Sequence, residues 1–227
     1  NSEIVGLSFS CKPGEAYYVP VPENQDEART IVQEFKPLFE NEKIEKVGQN
    51  MKYDRLILHW YGVDVKGPLY DTMIAHYLVE PEMRHNMDIL AETYLGYTPV
   101  SIETLIGKKG KKQGSMRDVA PEKITEYAGE DADITLQLKH TLEPMVKERE
   151  VEKLLNDVEV PLMTVLTDME LAGVSLDKGF LENYSKEITG EILETRQEVY
   201  DMAGEEFNLD SPKQLGQILF TKMEIPY

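Results

Sequence analysis

An aspartate in the middle of an apolar helical stripe is the feature that most constrains this chain. Residues 127–138 read YAGEDADITLQL. On a helix with about 100° per residue, Asp131 shares its face with apolar and aromatic residues, whereas Glu130 and Asp133 project toward solvent at the edge. The residues on the Asp131 face are Ile124, Tyr127, Ile134 and Leu138. An unpaired buried carboxylate is costly, so we expect Asp131 to meet a metal ion, a cation or a proton.

A second segment repeats this pattern. In KVGQNMKYDRLILHWY, residues 46–61, the same projection places Asp54 on a largely apolar face. The face also carries Asn50, Met51, Ile57, Leu58 and Tyr61. Two such aspartates are expected to converge, and converging like charges need a cation between them. Oxygen ligands without a nearby histidine or cysteine cluster favour magnesium or manganese over zinc, so the sequence predicts hydrolysis or transfer at phosphorus.

The other polar candidates are weaker. Tyr127 lies one turn before Asp131; a phenol with a pKa of about 10 is a poor base, but it can hold a metal-bound water, and an ordinary core tyrosine is an equally good interpretation. We expect Asp71 to cap a helix and Asp88 to lie in a first helical turn. The four histidines lack zinc-ligand spacing, and no nucleophilic-serine motif or P-loop occurs.

Composition limits the classes of function. The chain has 227 residues, of which 41% are hydrophobic, and 24 lysines and arginines against 42 aspartates and glutamates give a net charge of −18. This excess argues against a protein that coats nucleic acid through lysine and arginine, but not against an enzyme that meets phosphates through metal ions. One cysteine excludes an internal disulfide and fits a reducing cytoplasm, and no apolar run is long enough for a membrane span.

Hydrophobic periodicity and turn residues predict a mixed α/β order in the first two thirds of the chain. Residues 3–21 should form a β-hairpin around Lys12-Pro13-Gly14. We expect a short strand near 44–47 and helices at 27–39, 50–61, 71–79, 87–95 (closed by Gly96) and 121–142.

One basic segment interrupts the acidic chain. Residues 107–117, GKKGKKQGSMR, carry five positive charges and no acid. We expect a glycine-rich loop, either solvated or in contact with a phosphate backbone, with the second interpretation slightly favoured.

The character of the sequence changes after about residue 150. Two long helices are predicted at 151–172, closed by Gly173, and at 178–203. Ser211, followed by a proline and then Gln214, predicts a capping box at a further helix. The apolar stripes of these helices have few partners within 150–227, so we expect this region to dock on something else.

These segments together resemble a known family. VGQNMKYDRLIL and YAGEDADITLQL are similar to the second and third exonuclease motifs of bacterial family A DNA polymerases. DTMIAHYL, RHNMDILAETYLG and SPKQLGQILF follow in the order of that family, and the resemblance covers essentially the whole chain. It implies that residues 1–150 form a 3′–5′ exonuclease domain with an RNase H-like α/β fold, a mixed sheet flanked by helices. It implies that residues 151–227 are the first helices of the polymerase thumb.

The resemblance also implies an activity, two-metal removal of nucleotides from DNA 3′ ends (proofreading) with Mg²⁺ or Mn²⁺. Asp54, Tyr127 and Asp131 resemble catalytic residues, and the two aspartates resemble metal ligands. The residues expected to contact substrate are Gln49, Asn50, Tyr53 and Arg84. The implied partners are a single-stranded primer 3′ end and the rest of the polymerase chain, without a membrane. The implied location is the bacterial cytoplasm, at the nucleoid.

Two departures from the family pattern stand out. The first exonuclease motif, an Asp-x-Glu on the opening strand that supplies the metal-bridging ligand, is expected about a dozen residues before Asn1, so the chain resembles a fragment truncated before it. Of the acids near the start, Glu3 and Glu15 do not have that spacing. We therefore expect the fragment to be inactive or nearly so. Ile102 stands where the family has an aromatic residue that packs against the DNA end.

Three other functions remain open. The chain could be a noncatalytic scaffold that keeps the exonuclease fold, although buried acids argue against a degenerate site. It could be an RNA-trimming exonuclease of the same superfamily, although the thumb-like residues 151–227 favour a polymerase. A module that binds single strands by aromatic stacking is the least consistent with the net charge of −18.

Overall fold

A computed structural model describes residues 3–226 of the chain. The chain divides into two compact units, the first ending at Gly173 and the second beginning at Val174. Within residues 3–226, no helix combines the length and the apolar character that crossing a membrane requires.

The first unit opens with the predicted β-hairpin. Strands β1 (Gly6–Lys12) and β2 (Glu15–Pro20) pair antiparallel, with Leu7 opposite Val19 and a bulge near the turn. Gly14 has a φ of 80°, a conformation that glycine adopts without the steric cost of a side chain. The Lys12-Pro13-Gly14 turn is therefore confirmed.

The helix predicted at 27–39 is two helices, α1 (Gln25–Glu34) and α2 (Lys36–Phe39). Pro37 lacks an N–H, so it cannot donate to the carbonyl of Gln33 four residues earlier, and a continuous helix loses that bond. The chain instead turns at Phe35, whose N–H donates to the carbonyl of Val32 at 3.1 Å. The prediction of one helix was wrong because it gave too little weight to this proline.

A parallel pair of short strands follows. Strand β3 (Lys46–Gly48) leads into α3 (Met51–Trp60), and β4 (Leu69–Asp71) leads directly into α4 (Thr72–Val79). Val47 lies opposite Tyr70 in the parallel register. Both parallel and antiparallel pairs thus occur, as expected for a mixed arrangement, but among residues 3–226 they form two separate two-stranded sheets.

The remaining helices of the first unit include those predicted and one that was not, α6 (Ile102–Ile106). They are α5 (Met87–Leu90) with a π-helical turn (Ala91–Leu95), α6, a 3₁₀ turn (Met116–Asp118), α7 (Pro121–Glu148), α8 (Glu152–Leu154), a second π-helical turn (Leu155–Glu159) and α9 (Val160–Ala172). Gly96 and Gly173 end their helices as predicted. Helix α7 extends six residues beyond the predicted end at 142. The predicted family boundary at residue 150 remains a prediction, since α8 and α9 belong to the compact first unit.

Three apolar clusters hold the first unit together. The first joins the hairpin with α1 and α3 through residues such as Val21, Val32 and Leu58. The second joins β4 and α4 to the end of α7, and the third packs Leu90 against Leu138 and other α7 residues. Burial of such side chains contributes about 1.5–3 kcal/mol each relative to an exposed position.

The second unit consists of α10 (Lys178–Ala203), α11 (Pro212–Gly216) and a π-helical turn (Gln217–Lys222). Ala203 is the only residue of α10 that is buried, which confirms that its apolar stripe has few partners among residues 3–226. Ser211 caps α11 by accepting the N–H of Gln214 at 3.4 Å. The reciprocal half of the predicted capping box does not form, because Gln214 accepts the N–H of Asn208 instead.

The basic segment 107–117 is a loop up to its last residues, but Arg117 has a structural role. Its guanidinium donates to the backbone carbonyls of Ile4 at 2.7 Å and Val21 at 3.1 Å, and it lies 3.6 Å from the Glu3 carboxylate. These bonds tie both ends of the hairpin to the segment that precedes α7. The four lysines of the loop, Lys108, Lys109, Lys111 and Lys112, are exposed.

We predict that Arg117→Met lowers the free energy of unfolding of the first unit by about 1–3 kcal/mol, because two carbonyls lose a charged donor. Urea unfolding followed by the fluorescence of Trp60, the single tryptophan, measures this change. Lys111→Met, in the same loop but exposed, is the control and should leave stability within about 0.5 kcal/mol. Equal stability of the two variants would contradict the structural role of Arg117.

Candidate active site

A large cavity separates the two sheets of the first unit. It has a volume of about 790 Å³, and its walls include β1, the segment around β3, and residues of α3 and α7. Each of the two strands that line it pairs with one neighbour only, β1 with β2 and β3 with β4, among the described residues. The backbone edges of β1 and β3 therefore border the cavity.

Four carboxylates line this cavity, and two of them are neutralised by cations. Glu45 lies 2.9 Å from the Lys139 ammonium, and Glu3 lies near Arg117. Asp54 and Asp131 also line the cavity, yet neither has an ion pair within residues 3–226. The cavity thus holds two carboxylates without a compensating positive charge, and both predicted aspartates line it.

Asp54 lies in the first turn of α3, one turn from the buried side chains of Ile57 and Leu58. The side chain of Asp54 is solvent-exposed, because the cavity that it lines is open. The sequence pattern instead predicts a buried position on an apolar helix face. The surrounding protein atoms nevertheless desolvate its carboxylate, and this effect, with a smaller contribution from the charge of Asp71, raises the pKa of Asp54 to about 7.

Asp131 is half-buried on α7, one turn before the buried Ile134. Burial raises the pKa of Asp131 to about 6, while a hydrogen bond from the Tyr127 hydroxyl opposes the rise. Burial and the nearby Asp131 charge raise the pKa of Tyr127 above its ordinary value of 10.0, so its phenol stays protonated and donates. The predicted one-turn spacing of these residues is confirmed, and a role of Tyr127 as general base is excluded at neutral pH.

The two flanking acids of this helix are not solvated as expected. Glu130 accepts hydrogen bonds from the Tyr97 hydroxyl and from the N–H of Val100 at 2.8 Å. Asp133 accepts the N–H of Gly14 at 2.8 Å and so fixes the hairpin turn to α7. Sequence projection missed both roles because the partners lie 30 or more residues away in the chain.

The predicted substrate-contacting residues divide into two groups. Gln49 and Tyr53 line the cavity with Asp54, and Tyr53 is 51% exposed. Asn50 lies between them at the start of α3, with a positive φ of 63°. Arg84 is exposed in the loop between α4 and α5 and is not among the residues that line the cavity, and Ile102 is exposed at the start of α6.

Asp71 has a role that the sequence indicated only in part. As predicted, it caps α4 by accepting the N–H of Met73 at 2.9 Å and that of Ile74 at 3.3 Å. It also accepts the N–H of Asn50 at 3.2 Å and that of Met51 at 2.7 Å, so it caps α3 as well. Parallel pairing of β3 and β4 brings the two helix starts together, and that pairing was not visible in the sequence pattern.

Asp54 and Asp131 present the hard oxygen donors that Mg²⁺ and Mn²⁺ prefer. Desolvation raises the pKa of both carboxylates, and a bound cation would lower these pKa values by stabilising the ionised forms. Among the described residues, however, no group of three or more histidine, cysteine, aspartate or glutamate side chains is arranged to hold a metal ion. The two aspartates therefore fit as part of a donor set and do not complete one.

Comparison with known proteins decides the family. A sequence model described as 3′–5′ exonuclease matches residues 1–147, a segment that contains the cavity and both unpaired aspartates. The chain belongs to the 3′–5′ exonuclease family. A second model, described as DNA polymerase family A, matches residues 178–227, within the second compact unit. Both matches confirm the resemblance to family A polymerases.

Curated relatives agree with this assignment. The chain is 39% identical to DNA polymerase I of Pseudomonas aeruginosa over 236 aligned residues, covering 99% of this chain and 26% of that protein. It is 37% identical to DNA polymerase I of Borreliella burgdorferi, covering 99% of this chain and 24% of that one. The chain spans about a quarter of the length of these relatives.

A solved structure has the same fold. It is the POL domain of Pol1 from M. smegmatis in complex with DNA primer-template and dNTP, with a TM-score of 0.76 and 24% identity over 99% of this chain and 35% of that chain. This likeness, with the exonuclease match, confirms the predicted RNase H-like fold followed by helices of a polymerase.

The raised pKa of Asp131 predicts how stability depends on pH. The folded state binds its proton more tightly than the unfolded state, so ionisation of Asp131 destabilises the fold increasingly as pH rises from about 4 through 6. Asp131→Asn keeps an acceptor for Tyr127 and removes the charge. We expect this variant to be about 1–2 kcal/mol more stable than the original chain at pH 8 with EDTA, and the gain to shrink toward pH 4.5.

Unfolding followed by Trp60 fluorescence at both pH values measures the difference. Glu126→Gln, which removes an exposed carboxylate from the same helix, is the control and should show no comparable gain at pH 8. A gain that is the same at both pH values would contradict an elevated pKa for Asp131.

Proposed function

We propose that this chain carries the proofreading site of a DNA polymerase and that the site hydrolyses phosphodiester bonds at DNA 3′ ends. The observation that supports the proposal is the pair Asp54 and Asp131, two carboxylates without a cation that line one open cavity in a member of the 3′–5′ exonuclease family. Desolvated carboxylates in a cleft are the usual mark of a functional site, because stability alone does not favour them.

Divalent metal ions, Mg²⁺ or Mn²⁺, supply the activation of water and the neutralisation of phosphate charge in this proposal. Asp54 and Asp131 would hold them. Tyr127 orients the Asp131 carboxylate by donating to it, and its oxygen keeps a lone pair that can accept a hydrogen bond from an attacking water. The phenol contributes by position only, since it stays protonated at neutral pH.

The terminal nucleotides would lie along the start of α3. Gln49 and Tyr53 line the cavity beside Asp54, and the exposed Tyr53 ring offers a surface for base stacking, which contributes about 1–3 kcal/mol per base in single-strand binding. Asn50 lies between them, and we propose that Arg84 contacts the strand further from the cavity. The match of residues 178–227 to family A polymerases makes the rest of a polymerase chain the second proposed partner.

We further propose that the 227-residue chain has little activity when it is isolated. Two of the four cavity carboxylates are already ion-paired, and no Asp-x-Glu strand lies between β1 and β3 in the described residues. Two metal ions that stabilise the attacking and the leaving oxygen need more ligands than Asp54 and Asp131 provide. An added strand between the edges of β1 and β3 would bring its side chains beside both aspartates.

We predict almost no stepwise shortening of a 5′-labelled single-stranded DNA by the 227-residue chain with Mg²⁺ or Mn²⁺. A chain extended at its N-terminus by a strand that carries Asp-x-Glu should shorten the same DNA, and Asp131→Ala in that extended chain should lower the rate about 100-fold or more, because metal stabilisation is worth several kcal/mol. Denaturing gel analysis with and without chelator measures both.

The outcomes separate the alternatives. Chelator-sensitive shortening by the 227-residue chain that Asp131→Ala abolishes would disprove the dependence on Asp-x-Glu. Inactivity of the extended chain would favour a noncatalytic scaffold, and preference for RNA 3′ ends would favour an RNA-trimming enzyme.

We also propose that the lysines of the loop 107–117 contact the phosphate backbone of the bound strand. Lys108, Lys109, Lys111 and Lys112 are exposed and have no ion pair among the described residues. The loop is closed by hydrogen bonds from Gly114 to the carbonyl of Ile106 and from Gln113 to that of Gly107. Since α7 rises 1.5 Å per residue, its first residue lies about 15 Å along the axis from Asp131, within reach of a few nucleotides.

We predict that Lys111→Gln with Lys112→Gln reduces the salt dependence of single-stranded DNA binding. If both lysines contact phosphates, the slope of log affinity against log salt should fall by about 1.4, since each neutralised phosphate contributes about 0.7. Fluorescence anisotropy in EDTA at several salt concentrations measures the slope. Lys43→Gln with Lys153→Gln removes the same charge from other exposed positions, and an equal effect in that control would contradict a local contact.

A further inference from the structure

Two consecutive buried residues organise the segment that precedes Asp54. Asp71 is 1% exposed, and its carboxylate accepts four backbone N–H groups, two from α4 and two from residues 50–51. Thr72 is fully buried, and its single hydroxyl proton is shared between two acceptors, the carbonyl of Gly48 at 3.1 Å and the side-chain oxygen of Gln49. Every residue from 48 to 51 therefore has a hydrogen bond to Asp71 or Thr72.

The segment needs such support because its own geometry is unfavourable. Asn50 has a left-handed backbone, with a φ of 63°, and its side chain does not cap α3. A non-glycine residue in this region costs free energy unless its surroundings fix it. The turn is also tight, since a Cβ on Gly48 would lie 2.3 Å from the Met51 Cγ atom. The Asp71 carboxylate supplies the acceptors that the first N–H groups of α3 otherwise lack.

We propose that Asp71, with Thr72, is a positioning residue of the exonuclease site, which sets the place of Gln49, Asn50 and Asp54 through the backbone of residues 48–51. The inference rests on the proposed function of those residues. Asp71 does not line the 790 Å³ cavity, so it does not meet the reacting atoms; it acts through the backbone and, in smaller part, through the effect of its charge on Asp54. Its carboxylate serves both helix starts, which couples the position of α3 to that of α4.

One substitution separates these two roles. The Oδ1 atom of Asp71 accepts from Asn50, Met73 and Ile74, whereas Oδ2 accepts from Met51 alone. In Asp71→Asn we expect the amide oxygen to occupy the position of Oδ1, where it accepts the same three N–H groups. The opposite orientation would place the amide nitrogen, itself a donor, against those three donors. The variant then keeps the cap of α4, as asparagine is a good N-cap, and loses the bond to Met51.

The test is amide hydrogen exchange in the 227-residue chain without metal. In Asp71→Asn, the exchange rate of the Met51 amide relative to that of Ile74 should rise about tenfold or more, because the Met51 bond is charge-assisted. Thr72→Val, which removes the hydroxyl bonds to Gly48 and Gln49, should also mobilise the segment. Ala75→Gly, which weakens α4 without touching residues 48–51, is the control for general destabilisation and should not raise the ratio.

The same variants are then tested for binding a fluorescent ten-residue oligothymidine in EDTA. We expect Asp71→Asn and Thr72→Val to weaken binding about three- to tenfold, and Ala75→Gly to leave it unchanged. Equal changes at Met51 and Ile74, or unchanged binding with a mobilised Met51, would overturn the positioning role. Absence of DNA binding by the unsubstituted chain would count against the proposed function, while the exchange ratio would still decide the role of Asp71.

Discussion

The packing of α7 against both two-stranded sheets is the constraint on which the first unit depends. The sheets do not pair with each other among the described residues, so their relative position comes from the helix that touches both. Its buried residues Ile134, Leu138 and Leu142 pack against Leu90 and Ala91, and the bond from Gly14 to Asp133 fixes the hairpin turn to α7. Without this helix the two strand edges that border the cavity would have no fixed separation.

The same helix places a charge where stability does not favour one. Asp131 occupies the α7 face between Tyr127 and Ile134, and Asp54 lies across the cavity on α3. Desolvation raises the pKa of both carboxylates, which means that each ionised form lowers the stability of the fold in the absence of a cation. The other two acids of the cavity have their own cations, so the unpaired charge is confined to the two aspartates.

Hydrogen bonds to backbone, more than side-chain packing, define the approach to the site. Asp71 and Thr72 hold the left-handed turn before α3, and Glu130 holds the segment around Val100. These side chains are buried or half-buried, so their bonds are little weakened by solvent. A polar framework of this kind fixes geometry to within a narrow range, which a site that binds metal ions and a strand end requires.

The sequence by itself determined the hairpin, most of the helices, and the helical spacing of the two aspartates and Tyr127, because these depend on periodicity and spacing within one segment. It also indicated that Asp71 caps α4, which is a local contact. The tertiary structure alone decided the partners of Asp71 at α3, of Glu130 near Val100, and of Arg117 at the hairpin. Each of these joins segments separated by 20 residues or more, and a one-dimensional pattern carries no information on which backbone groups meet across such a distance.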